Sequence, residues 1–327
     1  MPSRRSFLAV TAAALAARRL PRLDATDPGW RARKRTVQVR GLSLAYVAGA
    51  RPSNPAAPTI VFLHGNPTSS YLWRRILPGL ETFGWCVAPD LLGMGDSARL
   101  PDSGPGRYRF VEHRDYLEGL LDALAPTGPV CLVLHDWGGM LGFDWARRHP
   151  DRVAGIAHME TVMDGLDRRT APPEAVRFFE RYRTPEGAAL VLEQNQFVEQ
   201  VLIGSLGDRL TEADRAEYRR PFLAPGEARR PTLTWPTEVP LDGAPADVAA
   251  IMAACHAWLA ESMVPKLFVN VEPGALVAAP GRKARCRGWP ATTEVVLPGR
   301  HFIQEEAPVE LQAALAVWLE TLTQGRR

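Results

Sequence analysis

The chain has 327 residues, of which 46% are hydrophobic and 23% charged, the balance of a chain that buries a large core rather than of a disordered one. Its formal charge of +3 resides wholly in residues 1–30, where Arg4, Arg5, Arg18, Arg19 and Arg22 face Asp24 and Asp27; the neutral remainder offers no electrostatic footprint for nucleic acid. Cys86, Cys131, Cys255 and Cys286 lie far apart, with no Cys-x-x-Cys pair and no histidine at ligand spacing, so no metal site is legible.

The first segment, Ser3, Arg4, Arg5, Ser6, Phe7, Leu8 and an alanine-rich stretch to Ala17, resembles a twin-arginine export signal. An Ala-x-Ala site stands at residues 14–16, although Arg18 and Arg19 follow at once. The expectation is a leader over residues 1–30 and a periplasmic protein, the alternative being an arginine-rich leader on a cytoplasmic one. The stretch is too short to span a bilayer as a mature helix, so no stable membrane association is expected. Cys86 and Cys131 fall in apolar runs and read as small buried hydrophobes, and a disulfide stays open only for an exported chain.

Next comes a basic run, Arg31 to Arg35, read as a solvated approach to the first strand. Residues 36–40 and 42–47 turn at Gly41 like a hairpin. The run at 59–64 is the first strongly buried strand, and strands follow at 85–89, 130–135, 153–158, 266–271 and 293–297. Helical spacing at 111–124, 139–148 and 246–261 falls between them, which argues for βαβ units around a parallel sheet. From about residue 161 to 241 strand-like runs vanish and amphipathic pieces at 173–183, 187–201 and 211–219 take over. This predicts a helical cap over residues 162–241, inserted into a core of residues 31–161 and 242–327. Pro221, Pro225, Pro231, Pro236 and Pro240 suggest that the cap ends in a long connecting segment.

The residues that carry chemistry stand at strand ends. After the strand at 130–134 come His135, Asp136, Trp137, Gly138 and Gly139 and then a helix, the context of a nucleophile elbow. Asp occupies the nucleophile slot, and Leu134 stands where a small residue is usual. A carboxylate is ionised at neutral pH and attacks without a base, which suits displacement at saturated carbon. The bland alternative is that Asp136 caps the following helix. His64-Gly65-Asn66-Pro67 follows a buried strand where oxyanion-hole donors of such folds arise. The Asn66 amide and the Trp137 indole N–H together offer two donors to an outgoing anion, although Trp137 alone also fits a packing role. His301, in Gly299-Arg300-His301-Phe302 after the last strand, holds the usual late position of a hydrolase base. Glu160 and Glu272, each following a strand, are both candidates for the acid that orients it.

These residues resemble the haloalkane dehalogenases, and within them the second subfamily, on the side of the enzymes that dechlorinate lindane-pathway intermediates. The carrying motifs are HGNPTSS at 64–70, DLLGMGDS at 90–97, HDWGG at 135–139, MET at 159–161 and HFIQE at 301–305. Stretches such as EHRDYL (112–117), GFDWARRH (142–149), FVEQVL (197–202), PFLAPGEARRPTL (221–233) and PKLFVNVEPGAL (265–276) extend the likeness to about residues 35–322. The resemblance implies an α/β-hydrolase fold with a mostly parallel eight-stranded sheet, flanking helices and an inserted helical cap. It implies catalytic Asp136, Glu160 and His301, choosing Glu160 over Glu272. Asn66 and Trp137 become both halide donors and, through their backbone N–H groups, the oxyanion hole. It further implies hydrolysis of a small halogenated hydrocarbon by water to an alcohol and a halide ion, without metal or organic cofactor, in a monomer. Residues 162–170 and 277–287 depart from the resemblance, so substrate range is not carried across.

Two competing functions are an epoxide hydrolase, with a cap tyrosine such as Tyr182 or Tyr218 activating the epoxide oxygen, and a non-catalytic receptor that keeps the hydrolase pocket. Asn66 and Glu160 argue against the first, and an intact set of nucleophile, base, acid and donors against the second.

Overall fold

The computed structural model describes residues 28–54, 56–124 and 128–324, so most of the leader read at residues 1–30 lies outside the described residues. Eight strands form one sheet in the order β1-β2-β4-β3-β5-β6-β7-β8. They are β1 (Lys34–Val39), β2 (Leu42–Ala48), β3 (Thr59–Leu63), β4 (Trp85–Pro89), β5 (Val130–Asp136), β6 (Val153–Thr161), β7 (Lys266–Pro273) and β8 (Thr292–Gly299). The first hairpin turns through Arg40 and Gly41, both at positive φ, and its strands run antiparallel; from β4 onward all pairing is parallel. β3, β4 and β5 are buried at every residue, as continuous apolar runs require when helices cover both faces. At the edge, β8 alternates, with Val295 and Leu297 buried and Val296 54% exposed.

Between β4 and β6 run α1 (Phe110–Leu124) and α2 (Trp137–Arg148). In α1, Phe110, His113, Leu117, Leu120, Leu121 and Leu124 are buried at helical spacing. α2 is buried from Trp137 to Ala146, consistent with a helix enclosed between the sheet and its neighbours. The basic run before β1 is tied down rather than merely solvated: Arg31 pairs with Glu217, Arg33 with Glu81, and Lys34 with Asp90 and Asp96.

After β6 the chain forms α3 (Pro173–Arg181), α4 (Pro185–Leu192), a wide π-type turn at Phe197–Gly204, α5 (Glu212–Arg219) and α6 (Arg230–Thr237). The single helix expected at 187–201 is therefore broken: α4 ends at Leu192 and Asn195 takes φ 55° before the π-type turn begins. The proline-rich stretch is likewise not a plain connector. Pro231 sits in the first turn of α6, where its missing N–H costs nothing, and Pro236 falls near its end. The chain entering and leaving this insertion is pinned together, with Leu166 N–H donating to the Pro240 carbonyl (2.7 Å) and Asp242 N–H to that of Leu166 (2.8 Å). α7 (Ala246–Glu261) then packs on α2, and α8 (Pro280–Gly288) and α9 (Pro308–Gln324) complete the sheet's cover. The four cysteines are buried free thiols. Among the described residues no helix is long and apolar enough to cross a membrane.

Candidate active site

The C-terminal ends of the parallel strands converge on one cavity of about 390 Å³, the place where open α/β sheets bind ligands. Asp136 ends β5 at φ 51° and ψ −128°, a strained backbone conformation for a residue with a side chain. It makes no side-chain cap bond to α2, so the helix-capping alternative is set aside. Asp136 Oδ1 instead accepts the Asn66 backbone N–H at 2.6 Å. Gly65 permits this approach, because a Cβ there would lie 2.0 Å from the same oxygen. The unusual Leu134 is accommodated from the helix side: a Cβ at Gly142 would meet Leu134 Cδ2 at 2.3 Å.

His301 lies between two carboxylates, Nε2 at 3.5 Å from Asp136 Oδ2 and Nδ1 at 3.6 Å from Glu160 Oε2. Glu160, buried at the end of β6, sits in a nest of backbone donors: Oε2 accepts from Ala275 (2.9 Å) and Leu276 (2.7 Å), and Oε1 from Val277 (3.4 Å). Glu272, the other acid candidate, is half exposed and bound to Lys283 Nζ (2.6 Å) and Asn270 Nδ2 (3.3 Å) on the strand end. Burial disfavours the His301 cation, but the hydrogen bonds and charges of Asp136 and Glu160 outweigh it and lift the imidazole to about 9. For Asp136, burial pushes the carboxyl up, and the His301 hydrogen bond and charge, with the Trp137 N–H, more than offset it, leaving the group below the ordinary range.

Asn66 donates one amide N–H to the Thr232 carbonyl (3.1 Å), which fixes the plane of the amide and leaves its second N–H uncommitted. The Trp137 ring stacks on Trp235 (centroids 4.8 Å apart) and leans on Phe110 (6.0 Å), and Trp235 stacks in turn on His113 (4.1 Å). Asn66 and Trp137 both line the cavity beside Asp136, and much of the remaining wall is apolar, including Phe178, Phe179, Phe197, Val201 and Leu276. Tyr182 and Tyr218 do not line it. The Tyr182 hydroxyl donates to Gln196 (3.3 Å) and that of Tyr218 to Glu305, and both rings are buried.

Several supporting groups complete the site, among them His64 and His135, which the sequence places beside it without showing what they hold. His135 Nε2 donates to the His301 carbonyl at 2.7 Å, and burial first, then the His301 charge, hold its imidazole down at about 3, so it braces the loop as a neutral ring. His64 Nε2 accepts the Leu91 N–H (2.9 Å), and Asp90 accepts from Ser70 (2.8 Å) and Asp96 (2.8 Å), so the 90–97 motif supports the 64–70 loop. The backbone nest for Glu160 follows Gly274 at φ 72°, and that glycine in EPGAL is the one sequence signal that could have pointed to it.

A family model described as the alpha/beta hydrolase fold matches residues 58–308. The chain is 49% identical over 289 residues to a haloalkane dehalogenase of Sphingobium indicum, covering 88% of this chain and 96% of that one. It is 47% identical over 288 residues to one of Mycolicibacterium smegmatis, covering 88% and 91%. Among solved structures, the haloalkane dehalogenase from Bradyrhizobium elkani superposes with a TM-score of 0.82 at 39% identity, over 89% of this chain and 99% of that one. A putative ancestral haloalkane dehalogenase gives 0.82 at 38% identity, over 89% and 99%. With that degree of identity along nearly the whole of both chains, this protein belongs to the haloalkane dehalogenases of the α/β-hydrolase fold and hydrolyses carbon–halide bonds.

Proposed function

We propose that Asp136 displaces halide from an sp3 carbon and that His301, with Glu160, hydrolyses the resulting ester. The observation that carries this reading is the chain of contacts from Asn66 N–H to Asp136 (2.6 Å), Asp136 to His301 (3.5 Å) and His301 to Glu160 (3.6 Å). An ionised Asp136 attacks the carbon in line with the halogen; the C–O bond forms as the C–halogen bond breaks and the halide leaves with the electron pair. The free amide N–H of Asn66 and the indole N–H of Trp137 receive it. Two charge-assisted hydrogen bonds of about 1.5–3 kcal/mol each supply a rate factor of roughly 10² to 10⁴ if both strengthen in the transition state. His301 then takes a proton from water as the oxygen attacks the ester carbonyl, and backbone N–H groups of Asn66 and Trp137 stabilise the tetrahedral oxyanion. Alcohol, halide and a proton are released. The helical insertion acts as a cap over the cavity, and the protein works as a monomer on a small halogenated hydrocarbon.

The test is a His301→Ala variant. Because displacement needs no base, it should release about one bromide per enzyme from a bromoalkane and stop with the alkyl group on Asp136, seen as a mass increment. Sustained turnover by this variant would overturn the assignment. The buried, engaged hydroxyls of Tyr182 and Tyr218 disfavour the epoxide reading, which diol formation from an epoxide would revive. We further propose that the leader directs export, testable by fractionating cells and determining the mature N-terminus.

A further inference from the structure

Most of the cavity wall is apolar, but Gln200, Ser205, Arg300 and Glu306 also line it, and the first three are exposed, so they mark its mouth. Arg300 is the only arginine or lysine among the lining residues. Among the described residues its guanidinium has no hydrogen-bond or ion-pair partner, unlike that of Arg219 on Glu199 or Arg287 on Glu294. The nearby acid, Glu306, is engaged by the main chain: its Oε2 accepts the Arg300 backbone N–H at 2.6 Å. Arg300 directly precedes His301, so its Cα lies about 3.8 Å from that of the base. An unpaired cation therefore lines the same cavity as Asp136 and His301, at its exposed end.

We propose that Arg300 is a specificity-determining residue that receives an anionic tail, making ω-haloalkanoates preferred substrates over neutral haloalkanes of equal length. The proposal rests on the displacement reading above. The halogenated end enters first and packs its methylenes on the apolar wall, and the terminal carboxylate stays in the mouth and accepts from the guanidinium, with Gln200 and Ser205 beside it. Chemistry is unchanged: the C–halogen bond breaks, the Asp136 ester forms, and water returns a hydroxyalkanoate, halide and a proton. Glu306 opposes the preference, because its charge shares the mouth.

The experiment compares kcat/KM for bromide release from a series of ω-bromoalkanoates and their methyl esters at low ionic strength, in the wild type and in the Arg300→Gln and Glu306→Gln variants. At the chain length that spans the cavity, the wild type should favour the acid over its ester by about five-fold, the upper range for a solvent-exposed charge pair. Arg300→Gln should abolish that ratio, Glu306→Gln should increase it, and added salt should erode it. An acid-to-ester ratio that Arg300→Gln leaves unchanged at every length overturns the proposal, as does an unchanged ratio in high salt. Release of bromide from neither acid nor ester would overturn the displacement reading itself and this one with it. Because each variant is judged by the ratio of two substrates, partial loss of folded protein cancels.

Discussion

On the proposed mechanism, replacing Glu160 with Gln isolates the part of the site that acts only after halide has gone. The carboxylate is buried, held by the Ala275, Leu276 and Val277 N–H groups, and lies 3.6 Å from His301. Gln retains one acceptor oxygen but removes the negative charge and turns an N–H toward donors. In the resting enzyme His301 has a second anion, Asp136, at 3.5 Å; once Asp136 becomes an ester, Glu160 is the only carboxylate left beside the ring. A hydrogen bond to a charged group is worth about 1.5–3 kcal/mol, or about one to two pKa units on the imidazole. Ester hydrolysis should therefore slow by roughly ten- to a hundred-fold, and the first bromide should appear at nearly the wild-type rate. Rapid-quench bromide release together with intact mass separates the two steps: a burst of about one bromide per enzyme followed by an accumulated alkyl adduct. The matched control is Glu272→Gln, which disturbs only a solvent-screened pair with Lys283 on the strand end and should turn over normally. Burst and steady state slowed alike in Glu160→Gln, or an adduct appearing in Glu272→Gln, would refute the reasoning.

The remaining predictions concern the donors, the proton and the frame. Asn66→Ala removes the amide that faces the cavity and leaves the Thr232 carbonyl without its donor, so halide formation should fall by roughly ten- to a hundred-fold while the unfolding midpoint drops by no more than a few degrees. His301 is raised from 6.5 to about 9 in the folded chain, so its stabilising contribution is complete below pH 6.5 and is lost as pH rises through 9. That contribution is of the order of 3 kcal/mol, and urea unfolding across this range should show a decline that largely disappears in Asp136→Asn. The fully buried guanidinium of Arg74 bridges Asp214 of α5 (2.6 Å) and Glu305 just after His301, with the Tyr71 and Tyr218 hydroxyls on the same acids. Arg75 also reaches both acids (3.4 and 3.3 Å), so Arg74→Met removes the buried share of their countercharge rather than all of it and should cost about 1.5–3 kcal/mol in unfolding free energy, a loss that pairing it with Asp214→Asn and Glu305→Gln should recover in part.

The strand-by-strand reading survives in the structure because the central strands are unbroken apolar runs with turn residues at their ends, a pattern few other arrangements satisfy. β3, β4 and β5 begin and end within a residue of expectation. Legibility failed where local rules compete with packing. Pro231 and Pro236 read as breakers, yet α6 forms because Pro231 takes a first-turn position and Thr232, Leu233, Thr234 and Trp235 are all buried. The apolar spacing over 187–201 gives no warning that Asn195, at positive φ, interrupts it. For the candidate site, position along the chain singled out Asp136 at the end of β5, Asn66 just after β3 and His301 just after β8, and the structure brings the three together. Position was not informative for the acid, because Glu160 and Glu272 stand in equivalent strand-end positions. What separates them is a pocket of N–H groups formed by residues 275–277, more than a hundred positions from Glu160, and such long-range pairing leaves no local pattern.

The same electrostatics that hold the site together at rest also order the two proposed steps. Between the Asp136 and Glu160 carboxyl groups His301 holds its proton to about pH 9 and cannot take one from water, but a protonated ring is no obstacle to an attacking carboxylate, whose own acidity it increases. Alkylation of Asp136 converts its charge into a neutral ester and removes one of the two carboxylates that stabilise the imidazolium. The ring's affinity for its proton falls at that moment, and the base becomes available only after there is an ester to hydrolyse. On this account the 3.5 Å contact between Asp136 and His301 is a switch as well as a brace, and the nest around Glu160 keeps the remaining charge fixed while the switch operates.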